Sequence, residues 1–222
     1  MSSNTLQLPR AVKVIILGDS GVGKTSLLTT LTTGRRITKH VPTIGADFKL
    51  KELYVDEHIV TMQLWDTAGQ ERFRSIAHSY YRDVDTCVLV FDVNDSQSFD
   101  SLTLWIDEFN LHHISRRANL DGTVSKPPIV IIGNKIDETD DKRQVKPQRV
   151  KAWIDDFFSG QVQYFEVSAL DDLNVSYTFK KIAETAFNYY RTTLDISPRD
   201  SHIVRLSNNG RSNDNDRKKC GC

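Results

Sequence analysis

The segment KVIILGDSGVGKTSLL, residues 13–28, constrains the fold more than any other part of the sequence. An apolar run typical of a buried strand is followed by Gly18, by four residues, and then by Gly23, Lys24 and Thr25. Glycines let a backbone curl so that successive N–H groups point at one anion, and a helix that begins there adds its positive N-terminus. The pattern predicts a strand, a phosphate-binding loop and a helix, with Lys24 reaching the phosphates and Thr25 binding Mg²⁺.

The same segment has two other possible interpretations. A glycine-rich turn between a strand and a helix can occur without any ligand, and the spacing alone does not exclude it. The dinucleotide-binding pattern G-x-G-x-x-G does not fit, because the glycines stand at positions 18, 21 and 23 in the order G-x-x-G-x-G.

The rest of the chain alternates between short apolar runs and helical stripes. Unbroken runs such as VLVF and IVII are typical of strands buried on both faces of a parallel sheet. Alternation of this kind predicts a doubly wound α/β domain. The predicted strands are Val12 to Leu17, Phe48 to Val55, Val60 to Trp65, Thr86 to Phe91, Ile129 to Ile132 and Tyr164 to Val167. The predicted helical stripes begin at Phe99, Val150 and Val175.

Composition excludes several classes of protein. The 222 residues carry 29 basic and 29 acidic side chains, so no nucleic-acid partner is expected for the whole molecule. The start MSSNTLQLPR has no apolar segment behind basic residues, and no apolar stretch approaches the roughly 18–20 residues that span a bilayer. Three cysteines at this spacing do not make a disulfide framework. We therefore expect a cytosolic protein.

The sequence divides into three parts. Residues 1–9 are predicted to be a flexible N-terminus, and residues 10–191 a single domain. Residues 192–222 contain six Lys or Arg and four Asp, which gives 6 − 4 = +2, and they are rich in Ser and Asn. A segment of this composition cannot bury enough apolar surface to offset the entropy of ordering, so we predict a disordered tail.

Four further motifs follow the phosphate loop: PTIGADF at 42–48, WDTAGQERF at 65–73, GNKID at 133–137 and VSAL at 167–170. In this order and spacing, they resemble the guanine-nucleotide motifs of Ras-like small GTPases over about residues 10–190. TIGADF, RFRSI, the Tyr80-Tyr81 pair and the terminal CGC resemble the Rab branch, and the segments around them are most similar to its late-endosome and vacuole type. The resemblance implies one P-loop GTPase domain with a mostly parallel six-stranded sheet and helices on both faces.

The resemblance also implies residue roles. Gln70 would position the attacking water, and Lys24, Thr43 and Gly69 would assist catalysis. Mg²⁺ would be held by Thr25 and Thr43, and through its water shell by Asp66. Independently of the family, the two carboxylate oxygens of Asp137 match the two donors on one edge of guanine, which adenine lacks. The full set of implied nucleotide-binding residues is Ser20, Gly21, Val22, Gly23, Lys24, Thr25, Ser26, Thr43, Gly69, Asn134, Lys135, Asp137, Ser168, Ala169 and Leu170.

Partners follow from the same resemblance. Phe48, Trp65 and Tyr80 resemble the aromatic triad with which Rab proteins present their nucleotide state to effectors. Cys220 and Cys222 resemble a double-geranylgeranylation signal, which is not a CaaX box because the cysteines are terminal. The implied partners are GTP and GDP, an exchange factor, a GTPase-activating protein, a GDP-dissociation inhibitor or escort protein, and tethering or sorting effectors. The implied location is the cytoplasmic face of a late endosome, lysosome or vacuole, with an extractable cytosolic pool.

The sequence departs from the family at two positions near the base. Arg36 stands where an aromatic residue usually packs on guanine, and Leu170 replaces the Lys of the usual Ser-Ala-Lys motif. These departures leave open a second function, a nucleotide-bound interaction module that hydrolyses GTP slowly or not at all. A P-loop ATPase or kinase is less well supported, because the Asn134-Lys135-x-Asp137 motif would have no role in it.

Overall fold

A computed structural model describes residues 10–35, 43, 45–67, 78–115, 117–118 and 122–195. The predicted flexible N-terminus at residues 1–9 and the cysteines Cys220 and Cys222 lie outside these ranges. No helix among the described residues is long and apolar enough to cross a membrane.

The domain is built on one six-stranded sheet. The strands are β1 (Arg10–Leu17), β2 (Ala46–Val55), β3 (His58–Thr67), β4 (Thr86–Asp92), β5 (Arg117–Ala118), β6 (Ile129–Asn134), β7 (Gln163–Val167) and β8 (Leu194–Asp195). The strand order in the sheet is β2-β3-β1-β4-β6-β7. The β2–β3 pair is antiparallel, and the other four pairs are parallel, as the unbroken apolar runs predict. All seven residues of β4 are buried.

Helices cover both faces of this sheet, so the predicted fold class is confirmed. The helices are α1 (Lys24–Thr33), α2 (Ser96–Asp100), α3 (Leu102–His112), α4 (Pro147–Phe158) and α5 (Val175–Thr192), with a short 3₁₀ turn at His78–Tyr81. One core layer packs α1 and α5 against the sheet through residues such as Leu28 and Phe179. The opposite layer packs α2, α3 and α4 through residues such as Phe99, Trp105 and Ile154.

Ordered structure continues a few residues beyond the position where the sequence placed the end of the domain. Helix α5 ends at Thr192, and β8 then pairs antiparallel with β5, which lies in the long loop before β6. The Tyr189 hydroxyl donates to the Ser125 carbonyl at 3.1 Å, which holds the same loop against the end of α5. The rest of the predicted tail, residues 196–222, lies outside the described residues.

Candidate functional site

The phosphate loop connects β1 to α1 at the edge of the sheet where the parallel strands end. Its first glycine has no room for a side chain, because a Cβ on Gly18 would lie 2.1 Å from the Val90 carbonyl oxygen. Gly23 has φ +100°, and a Cβ there would lie 2.3 Å from the Asn134 side-chain nitrogen. Helix α1 begins at Lys24 without a side-chain cap, so its first N–H groups suit an anion. The local chain therefore has the shape that a bound phosphate needs.

Lys24 lies inside this loop and is only 5% exposed. Its ammonium donates to the carbonyl oxygens of Gly18 at 2.6 Å and Asp19 at 2.7 Å. Burial lowers the pKa of Lys24 to about 8, although the carboxylates of Asp66 and Asp19 partly oppose this shift. A buried ammonium is stabilised by an anion beside it, and phosphate oxygens would supply that charge.

Three oxygen-bearing side chains meet beside Lys24. The Thr25 hydroxyl lies 2.8 Å from the Thr43 hydroxyl and donates to Asp66 Oδ2 at 2.6 Å. The other oxygen of Asp66 is buried and has no hydrogen-bond partner among the described residues. Burial, the largest influence, raises the pKa of Asp66 despite the hydrogen bond from Thr25. Hard oxygen ligands with an unsatisfied carboxylate oxygen fit Mg²⁺, so this cluster fits the metal that the sequence implies.

Asp137, which the sequence assigns to the guanine base, is brought into contact with Ser168, another of the implied nucleotide-binding residues. The Ser168 hydroxyl donates to Asp137 Oδ1 at 2.6 Å and accepts from the Asp171 N–H at 2.9 Å. This pair of hydrogen bonds fixes the direction of the carboxylate, so Asp137 is oriented before any ligand binds.

Asn134 joins three motifs to one another. Its side-chain amide donates to the Val22 carbonyl at 2.8 Å, and its side-chain oxygen accepts from the Ala169 N–H at 3.1 Å. The Ser168 N–H donates to the Leu173 carbonyl at 3.1 Å. The N–H groups of Ser168 and Ala169, two of the implied nucleotide-binding residues, are therefore used within the protein, and the role of these residues toward guanine stays a prediction. An amide has a second N–H, so Asn134 can still donate to a ligand.

Two residues that support Lys135 were missed by the sequence analysis. The Lys135 ammonium lies 2.7 Å from Asp92 Oδ2, and the Asn94 side chain donates to the Lys135 carbonyl at 3.0 Å. Lys135 itself has φ +69°. The available signal was the polar segment DVND, residues 92–95, which begins with the last residue of β4, because neighbouring parallel strands end at the same edge of the sheet. The Leu170 side chain is 50% exposed at this edge.

The three predicted effector-binding aromatics form one cluster. The Phe48 and Trp65 rings lie 5.1 Å apart, and the Trp65 and Tyr80 rings lie 5.0 Å apart. Phe48 is 44% exposed, which leaves this cluster accessible from solvent. Asp66 follows Trp65 directly, so the aromatic cluster and the proposed metal cluster share one strand.

Comparison with known proteins identifies the family. The sequence model of the Ras family matches residues 13–188. The chain belongs to the Ras family. It is 48% identical to GTP-binding protein yptV5 of Volvox carteri, over 80% of this chain and 82% of the relative. It is 43% identical to the Ypt/Rab-type GTPase ypt7 of Pyricularia oryzae, over 95% of this chain and 96% of the relative. It is 45% identical to Ras-related protein Rab-7a of Dictyostelium discoideum, over 79% of this chain and 82% of the relative.

These relatives confirm the predicted Rab type within the Ras family, so the chain is a small GTPase that hydrolyses GTP and acts as a switch. The geometry brings together most of the residues assigned to that activity in the Rab-type domain. Gly69, Gln70 and Arg36 lie outside the described residues, so the roles predicted for them stay predictions.

Proposed function

We propose that this Rab-type GTPase signals its nucleotide state through Thr43 and thereby recruits effectors to a late endosome or vacuole. The observation that carries the proposal is the 2.8 Å approach of the Thr43 hydroxyl to the Thr25 hydroxyl. Thr43 comes from the segment between α1 and β2, whereas Thr25 is the second residue of α1, directly behind the phosphate loop. When Mg²⁺ and the γ-phosphate are bound, Thr43 would gain contacts to both of them, and loss of that phosphate would remove these contacts and release its segment.

Each part of the site has one task in this scheme. Lys24 and the N-terminus of α1 hold the phosphates, Thr25 and Thr43 hold the metal, and Asp66 orients it from the end of β3. Bound Mg²⁺ would supply neutralising charge to the phosphate oxygens. Asp137, aligned by Ser168, selects guanine. Moving a switch from about 1:99 to 99:1 needs roughly 5.5 kcal/mol of differential binding, which a few charge-assisted contacts can supply.

Gln70 is proposed to position the attacking water, and its replacement tests the hydrolytic role. We expect Gln70→Leu to slow single-turnover phosphate release from GTP-loaded protein by about 10²-fold, because positioning supplies much of the catalysis in phosphoryl transfer. Phosphate release would be followed with a fluorescent phosphate sensor after Mg²⁺ addition, for GTP and ATP in parallel.

The matched control is Gln161→Leu. Gln161 is exposed and lies two residues before the start of β7, whereas the site residue Ser168 directly follows the end of that strand. It should release phosphate at the wild-type rate. Equal rates for Gln70→Leu and wild type would remove Gln70 from its role. Negligible release by the wild type with tight GTP binding would favour the nucleotide-bound interaction module instead.

The tail supplies a separate part of the proposal, the attachment to membrane. Arg217, Lys218 and Lys219 directly precede the CGC terminus, so two lipid chains would lie beside three positive charges. One lipid chain binds membranes only marginally, whereas two chains with a basic cluster anchor stably. A GDP-dissociation inhibitor or escort protein would then extract the lipidated protein from the membrane and keep it as a cytosolic pool. An exchange factor and an activating protein would set the nucleotide state.

Replacing both terminal cysteines tests this attachment. We expect Cys220→Ser with Cys222→Ser to leave the protein entirely in the cytosolic fraction, and either single change to give weak, salt-sensitive membrane binding. Fractionation of cells that express each variant measures this. Cys87→Ala is the control, because Cys87 is buried in β4, where burial raises the pKa of its thiol and keeps it unreactive. Unchanged membrane binding of the double variant would refute lipid anchoring.

A further inference from the structure

A tryptophan outside the nucleotide motifs is hydrogen-bonded to the phosphate loop. The Trp105 indole N–H donates to Asp19 Oδ1 at 2.8 Å, across 86 positions of sequence. Trp105 lies on α3, and Asp19 is the first residue after Gly18 in the loop. No nucleotide motif includes Trp105, and the mechanism above does not use it.

Trp105 is a rigid point of attachment. It is 1% exposed and belongs to the core layer in which α3 packs on the sheet with Leu102, Ile106 and Phe109. An indole N–H can only donate, and a carboxylate oxygen is a strong acceptor for it. Hydrogen bonds to ionised groups contribute more than neutral ones, so the contact ties the loop firmly to α3.

Asp19 is also the residue whose main chain orients Lys24. Its carbonyl oxygen and that of Gly18 both accept from the Lys24 ammonium. A shift of Asp19 therefore moves two of the oxygens against which Lys24 rests. The direction of Lys24 toward a phosphate depends on where the Asp19 backbone is held.

The opposite end of the loop has its own attachment. Asn134 donates to the Val22 carbonyl from the end of β6, whereas Trp105 holds Asp19 from α3. Among the described residues, the loop is thus held by side chains on both sides of its curve. Fixing both ends keeps the intervening N–H groups converging on one anion.

We propose that Trp105 is a positioning residue for nucleotide binding, which acts through Asp19 to keep the phosphate loop in its binding conformation and so slows nucleotide dissociation. Trp105 does not touch the nucleotide. The proposal rests on guanine-nucleotide binding at the described site and adds a contact that retains the ligand once it is bound.

The test measures dissociation of a fluorescent GDP analogue in the presence of Mg²⁺ and excess unlabelled GDP. We expect Trp105→Phe and Asp19→Ala each to speed dissociation by about tenfold, since each removes the same hydrogen bond to a charged group. The double variant should be no faster than either single variant, because the two changes break one contact. Asp19→Asn keeps an oxygen acceptor and should restore dissociation to within about threefold of wild type.

The control is Trp153→Phe. Trp153 packs on the same core layer as Trp105, and its ring contacts the rings of Phe99 and Phe157. The substitution keeps an aromatic ring at that position. Its dissociation rate should equal that of the wild type. If Trp105→Phe fails to fold, Asp19→Ala with Asp19→Asn still tests the contact from the loop side. Rates of Trp105→Phe or Asp19→Ala within twofold of the control, or additive effects near a hundredfold in the double variant, would overturn the proposal. Loss of GDP binding by the wild type would instead refute the proposed function.

Discussion

Replacement of Asp137 by Asn is expected to lower the affinity for GTP by about 10³-fold or more and to create binding of xanthosine triphosphate. Guanine presents two donors on one edge, and the Asp137 carboxylate presents two acceptors to them. An amide presents one acceptor and one donor, which leaves one guanine donor opposed by an N–H. Xanthine has an oxygen where guanine has its 2-amino group, so it matches the amide. Sites built on polar pairing reject mismatched ligands by about 10⁴–10⁵-fold.

The measurement is competition by GTP and by xanthosine triphosphate against a fluorescent GDP analogue. Asp140→Asn is the matched control, because Asp140 is an exposed residue three positions further along the same loop. It should bind GTP as the wild type does. The amide oxygen introduced by Asp137→Asn can still accept from the Ser168 hydroxyl, so the loop keeps its shape. Wild-type GTP affinity in Asp137→Asn would show that Asp137 does not select the base.

The fold could be predicted from sequence because its strands are buried on both faces. Such strands are unbroken apolar runs, and their spacing with helical stripes between them leaves few possible topologies. Strand ends were predicted less well. β6 continues to Asn134 and β4 to Asp92, two residues and one residue beyond the predicted ends, because a backbone ladder needs no apolar side chain. The short β5–β8 pair has no sequence signal of this kind.

The candidate site, like the fold, could be predicted from sequence only in part. Residues within one motif, such as Lys24 and Thr25, could be assigned from spacing, because local backbone geometry determines where they point. Contacts between different motifs could not be assigned from the sequence. Asp92 supports Lys135 from the next strand, and Trp105 reaches Asp19 from a helix, so both depend on tertiary packing that no single segment encodes. Asn134 is one of the nucleotide-binding residues that the resemblance implies, yet both of its side-chain hydrogen bonds in the structure join parts of the protein.

The second large effect is expected at Gly23, which lies against the Asn134 side chain that connects Val22 to Ala169. Gly23→Ala should weaken GDP and GTP binding by at least about 10²-fold, because its new Cβ would lie 2.3 Å from the Asn134 side-chain nitrogen. Asn134 must then move, and it releases both the Val22 carbonyl and the Ala169 N–H. The change also places a side chain at φ +100°, which costs of order 1 kcal/mol or more by itself.

Gly34→Ala separates the effect of backbone strain from the effect of displacing Asn134. Gly34 has φ +63° at the end of α1, and an added Cβ there meets nothing within 4 Å. It should therefore lower the free energy of unfolding by about 1 kcal/mol through backbone strain while leaving nucleotide affinity unchanged. Calorimetric titration with GDP and chemical denaturation would be run on both variants. If Gly23→Ala bound GDP within threefold of Gly34→Ala, the Asn134 bridge would not control nucleotide binding, and the substitution at Gly23 would act only on stability, through backbone strain.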